Sequence, residues 1–202
     1  MSAQDRRLWL VRHGDTEGQS SIRYHGSNDV RLSDAGRAQI RALAPLLRGV
    51  DFVRVVHSPL LRAAESAAIL AALCGVPAGR VVADARWREL CFGRCEGMTA
   101  AEIEAAFPEF CRTHRAGTGE DFPGGEARAA FRARVEAAVL ELAGSPWHGD
   151  ALVVAHRGTV RHALRTLLRV GPGPDQLGVE LASVTVVRDD GSWQLEALGL
   201  LP

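Results

Sequence analysis

Short, apolar, β-branched segments alternate along this chain with longer segments of helical periodicity, and that alternation most narrows the folds open to it. Residues 8–11 form an apolar run bounded by charge and read as a buried strand that ends at Arg12. Residues 52–56 and 151–155 read the same way, with 80–83 a weaker strand between them. Helical spacing follows the strands. Ser33 is placed to cap a helix reaching about Leu47, with Ile40, Leu43, Leu46 and Leu47 on one face. Further helices are predicted over 60–73, stopped by Gly75, over 100–107, 126–142 and 159–169. Residues 183–187 and 193–198 pair as a hairpin across Asp189-Asp190-Gly191-Ser192. The pattern predicts a three-layer α/β/α sandwich around a mostly parallel sheet. One domain over 1–202 is expected, with residues 89 to about 125 inserted as a small cap.

Composition removes several functions. Hydrophobic residues at 47% and charged residues at 24% are a normal globular balance. All 24 Lys-plus-Arg positions are arginine. A P-loop lysine and a Schiff-base lysine for pyridoxal phosphate are therefore both excluded. Phosphate, if handled here, is handled by Arg, His and backbone N–H groups. A net charge of zero argues against a nucleic-acid or membrane surface, and no apolar run is long enough to span a bilayer. No basic-then-apolar leader is visible and four cysteines call for no disulfide framework, so a cytoplasmic protein is expected. Gly171-x-Gly173 lacks the spacing and context of a dinucleotide site.

In an open α/β sheet ligands bind at the carboxyl ends of the strands. Here those ends carry Arg12-His13-Gly14, then His57-Ser58-Pro59 with Arg62 one helical turn on, and then His156-Arg157-Gly158. Arg88-Glu89 follows the weak third strand. These residue types suit phosphoryl transfer, which needs positive charge around three equatorial oxygens. Arginine forks match phosphate geometry, and an imidazole kept neutral by nearby arginines is a competent nucleophile. A carboxyl group can protonate the leaving alkoxide and then deprotonate a water. Such a cationic pocket takes the place of a metal ion, and no metal or cofactor is expected.

The motifs extend along nearly the whole chain, in order. They run from Leu10-Val11-Arg12-His13-Gly14-Asp15-Thr16-Glu17 to Arg23-x-His25-Gly26-x-x-Asp29-x-x-Leu32-Ser33-x-x-Gly36, then His57-Ser58-Pro59-Leu60-x-Arg62-Ala63. Arg88-Glu89-Leu90-x-Phe92-Gly93-x-x-Glu96-Gly97, Pro123-Gly124-Gly125-Glu126 and Val154-Ala155-His156-x-Gly158-x-x-Arg161 complete them. The set resembles the histidine phosphatase superfamily, in the branch with cofactor-dependent phosphoglycerate mutase and α-ribazole phosphatase. That resemblance implies a phosphoglycerate mutase-like fold. It implies His13 as nucleophile, Glu89 as proton donor, and Arg12, Arg62 and His156 as holders of the phosphoryl oxygens.

Departures from the family pattern fall around the substrate. Gly18 and Gln19 stand where Trp-Asn is frequent, His25 replaces a glutamine, and Ala127 replaces a common serine. Arg157 replaces the glycine after the second histidine; it is read as a contact to a second anionic group, as a solvent-facing residue or as a salt-bridge partner for the cap. Gln19, His25, Gly26 and Arg157 are the candidate substrate contacts. The lysine- and tyrosine-containing insertion of the mutases is absent after Glu89, which favours hydrolysis of a small phosphorylated metabolite over transfer. A mutase, and a catalytically silent module on the same fold, are the alternatives. The family includes monomers and dimers, so a homodimer stays open. Cys91-x3-Cys95 with Cys111-x2-His114 offers zinc ligand types, but the second spacing is unusual for zinc, and buried cap cysteines are the expectation.

Overall fold

The computed structural model describes residues 6–115, 121–170 and 177–201. Gly171-x-Gly173 and the first part of the turn-rich stretch 117–125 lie outside them. The elements run β1 (Arg6–Arg12), α1 (Asp34–Ala42), α2 (Ala44–Leu47), β2 (Phe52–His57), α3 (Leu61–Leu73) and β3 (Val81–Ala83). They continue with α4 (Ala100–Ala106), α5 (Pro108–Arg115), α6 (Arg128–Gly144), β4 (Gly149–Ala155), α7 (Arg157–Leu168), β5 (Val184–Asp189) and β6 (Trp193–Leu200). The six strands form one sheet in the order β3-β2-β4-β1-β5-β6. Among them β3, β2, β4 and β1 are parallel, and β5 and β6 add an antiparallel hairpin at one edge.

Period-two side chains in the central strands face two separate apolar layers. Leu8 and Leu10 of β1 and Ala151, Val153 and Ala155 of β4 pack with Phe131, Val135 and Val139 of α6 and Val160 and Leu164 of α7. Val11, Leu152 and Val154 face the other way, onto Ile40 of α1, Leu47 of α2 and Ala63, Ala67 and Leu70 of α3. Strands buried on both faces therefore read as continuous apolar runs, which is why 151–155 shows no alternation. A third apolar cluster, built on Cys95, Ile103, Phe110 and Phe122, lies within the inserted segment and forms its own small core.

Three elements differ from the sequence reading. The helix expected to Leu47 breaks at Leu43, because Pro45 has no N–H to give and crowds the preceding turn; Leu43 N–H bonds back to Ile40 at 3.2 Å instead. Helix α5 is unforeseen, and Pro108 occupies its first position, where a missing N–H costs nothing. Helix α7 begins at Arg157, two residues before the expected Thr159, with His156 as its N-cap residue. Among the described residues no helix is long and apolar enough to cross a membrane.

Candidate active site

The parallel register gathers the strand-end motifs. Arg12 pairs with Ala155 and His57 with Val154, so His13, Ser58 and His156 emerge side by side at one sheet edge. His13 N–H bonds to Ala155 O at 3.0 Å and Ser58 N–H to Val154 O at 3.1 Å, which extends the ladder past the strand ends to the candidate site residues. The His13 and His156 ring centroids are 5.2 Å apart.

Tautomers follow from the partners. His13 Nδ1 lies 2.7 Å from Gly14 O, and a carbonyl oxygen only accepts, so Nδ1 carries the proton and Nε2 the lone pair. Arg62 Nε–H donates to His156 Nδ1 at 3.2 Å, so that nitrogen is unprotonated and Nε2 bears the hydrogen, 2.8 Å from Ser58 Oγ. Both rings are almost wholly buried. Burial first, then the charges of Arg62 and Arg12, hold His13 well below the usual histidine range. His156 is held down by burial and then by Arg62, with His13 and Arg12 adding to the effect.

The two arginines sit differently. Arg12 NH1 donates to Val179 O at 3.0 Å, while its Nε is buried with no protein partner. Burial, only partly offset by Glu89, brings its guanidinium down to about 10, so it stays charged at neutral pH. Arg62, without exposed surface, spends four N–H groups on protein. Besides His156 these reach Asn28 O at 2.8 Å, His25 O at 2.6 Å and Gly26 O at 2.9 Å. Burial brings it likewise to about 10.

Glu89 approaches from the inserted segment. Its Oε2 accepts the Gly158 N–H at 2.9 Å, in the first turn of α7, and Oε1 accepts Leu90 N–H at 3.0 Å. A Cβ on residue 158 would stand 2.5 Å from Oε1, so only glycine leaves room for the carboxyl group there. Arg134 of α6 fixes the backbone of this loop. It donates to Arg86 O, Arg88 O and Glu89 O at 2.7 to 3.0 Å, and forks onto Glu126 at 2.7 Å. Sequence reasoning missed Arg134, and no motif letter marks it.

Arg12, His13, His25, Glu89, Arg157 and Gly158 line one cleft beneath the cap, together with Tyr24, Leu90 and Phe92. Arg62 and His156 are buried and do not line it. Two expected contacts fall elsewhere. Gln19 is exposed, in a left-handed backbone conformation (φ 58°), and its neighbours Ser20 and Ser21 line the cleft instead. Gly26 is buried, and a Cβ there would meet Leu90 O at 2.0 Å, so it serves close packing. Nor do the cap cysteines gather with His114. Cys95 is in the cap core, His114 packs tilted against Phe110 and edge-on to Phe122 and pairs with Arg128, and no donor triad suited to a metal occurs among the described residues.

The histidine phosphatase superfamily (branch 1) model matches residues 8–200, nearly the entire chain. The chain belongs to this superfamily. It is 34% identical over 182 residues to a bifunctional protein of Mycobacterium tuberculosis, covering 89% of this chain and 49% of that protein, so it spans about half that relative's length. It is 34% identical over 174 residues to glucosyl-3-phosphoglycerate phosphatase of M. tuberculosis, covering 82% of this chain and 76% of the relative. The solved structure of the mycobacterial glucosyl-3-phosphoglycerate phosphatase with VO3 superposes with a TM-score of 0.83 at 30% identity, covering 96% and 98% of the two chains.

The buried neutral histidines carry a stability signature. In the unfolded chain they protonate near pH 6.5, whereas the folded state keeps them neutral to lower pH. Below about pH 6.5 the unfolded state thus binds more protons. Stability is complete above that point and falls with acidification, by up to about 1.4 kcal/mol per pH unit for each ring. Urea unfolding between pH 7.5 and 5 is expected to show this decline. His156→Asn should reduce the slope while leaving the His13 share, and an unchanged slope in the variant would rule out the His156 ring as a contributor.

Proposed function

We propose that this histidine phosphatase superfamily member hydrolyses small phosphomonoesters through a phosphoryl group carried on His13. The observation that carries the reading is the His13 ring itself. It is buried, oriented by its Nδ1–H to the Gly14 carbonyl, neutral, and left with an Nε2 lone pair beside the cleft.

In the first step the Nε2 lone pair forms the N–P bond as the P–O ester bond breaks. Glu89 gives its proton to the departing alkoxide, which leaves as the alcohol. In the second, Glu89 takes a proton from water, the water oxygen bonds to phosphorus, the P–N bond breaks, and His13 returns neutral. Glu89 is thereby ready for another turnover. The unpaired Nε–H of Arg12 and the one N–H that Arg62 does not give to protein are donors for the equatorial oxygens. His156 Nε2–H completes the set by turning from Ser58. Fixed positive charge on two buried arginines performs the charge neutralisation for which other phosphoryl-transfer sites use magnesium.

With wild-type protein, phosphate release is expected to persist in EDTA. His13→Ala should reduce it roughly 10^3-fold or more. Near-wild-type turnover in that variant would eliminate His13 as the nucleophile. Glu89→Gln should slow alkyl phosphates by about 10^2-fold, and p-nitrophenyl phosphate, whose leaving group needs no proton, far less. Equal losses on both would remove Glu89 from the acid role.

Substrate contacts come from the cleft wall. His25 and the exposed Arg157 line it from opposite chain segments, and the Arg157 charge acts on Arg12. Arg157 suits a metabolite with a second anionic group near its phosphate. For such substrates Arg157→Gln should lower kcat/KM by about ten-fold, the scale of one charge-assisted hydrogen bond, and leave p-nitrophenyl phosphate little changed. The reverse preference, measured across a phosphometabolite panel, would place the second anion elsewhere.

A further inference from the structure

Arg62 is held in place by a peptide loop, and a carboxylate from the cap holds that loop. Glu96 follows the short 3-10 turn Gly93–Cys95, next to the cap core. Its two oxygens accept Gly26 N–H at 2.8 Å, Ser27 N–H at 2.7 Å and Phe92 N–H at 2.8 Å, with Asn28 N–H at 3.3 Å. On its other side the same loop presents the carbonyls of His25, Gly26 and Asn28 to Arg62. The loop is thus gripped by an anion at its amides and by a cation at its carbonyls. Asp29 Oδ1 adds a third anchor by accepting Leu61 N–H at 2.6 Å, at the start of the helix that carries Arg62. The close approach of Gly26 to Leu90 O and Glu96 leaves no room for the loop to shift toward the cap.

A guanidinium has five N–H groups, and four of those on Arg62 are bonded to the loop and to His156. The carbonyl positions therefore fix where the fifth points and how squarely Nε meets His156 Nδ1. We propose that Glu96 is a positioning residue for the phosphoryl-binding pair Arg62 and His156, acting through the amides of residues 26–28. The cap is then part of the catalytic framework as well as a cover over it. Without the Glu96 carboxylate the loop amides lose their acceptor and the carbonyls no longer hold one orientation. Arg62 then ceases to select a single His156 tautomer.

The placement of Arg62 and His156 stands on the geometry, and the consequence for turnover rests on the phosphatase reading. The test separates the two. Glu96→Gln keeps the side-chain volume but halves the acceptor capacity. Folding is checked by thermal melt, the His156 tautomer by ¹⁵N NMR of the imidazole nitrogens, and kcat by phosphate release. The wild type is expected to show His156 in the Nε2–H form. Folded Glu96→Gln should show a tautomer mixture and a kcat 10- to 100-fold lower, the scale of an ångström-level misplacement. Glu96→Asp keeps the charge and should recover part of both, and it carries the same test if Glu96→Gln does not fold. Wild-type His156 signals in a folded Glu96 variant would overturn the proposal. If the wild type released no phosphate, the phosphatase reading would fall while the tautomer measurement still decided the role of Glu96.

Discussion

Taking a guanidinium entirely out of water costs several kcal/mol unless its hydrogen bonds are replaced. The chain replaces those of Arg62 with three carbonyl oxygens and one imidazole nitrogen, and with no carboxylate contact. That choice governs the site. Carbonyl dipoles satisfy the N–H groups without cancelling the charge, so the positive field persists around the two histidines. The same field, added to burial, keeps His13 and His156 neutral. A direct carboxylate partner would have made Arg62 easier to bury and weakened both effects.

Backbone geometry delivers the other groups to this charge. Parallel pairing of β1 with β4 and of β4 with β2 puts three chain segments, far apart in sequence, within hydrogen-bonding reach. Helix α7 starts directly from β4, so its first-turn N–H meets Glu89, which the inserted segment brings in from above. Arg134 and Glu96 then hold that segment to the body from two directions, one through carbonyls and the other through amides. Chemistry placed on loops is made rigid by charged side chains that grip backbone.

Much of this was legible in the sequence, for physical reasons. Doubly buried strands must be continuously apolar, so β1 and β4 stood out, and the polar residues that end them marked where a ligand could approach. Helix ends were less legible. Spacing over 33–47 is helical throughout, yet Pro45 divides it, because periodicity reports faces and says nothing of a missing N–H. The start of α7 at Arg157 was masked by the motif His156-Arg157-Gly158, whose residues serve both site and helix. Gln19 and Gly26 were candidate contacts because of their places at the first two motifs. One is turned outward in a left-handed turn and the other fills a space too tight for a Cβ.

By itself the sequence determined the strand-and-helix alternation, the absence of lysine chemistry, and the residue types at each strand end. These depend on periodicity and on side-chain chemistry, both local properties. Tertiary structure alone decided which nitrogen of each histidine holds the proton, since that is fixed by the acceptor or donor standing opposite. It also decided that Arg62 faces carbonyls, that Glu89 meets the first turn of α7, and that Glu96 and Arg134 support the site from the cap and from α6. Those contacts join residues tens of positions apart, and no local pattern records which distant partner will close them.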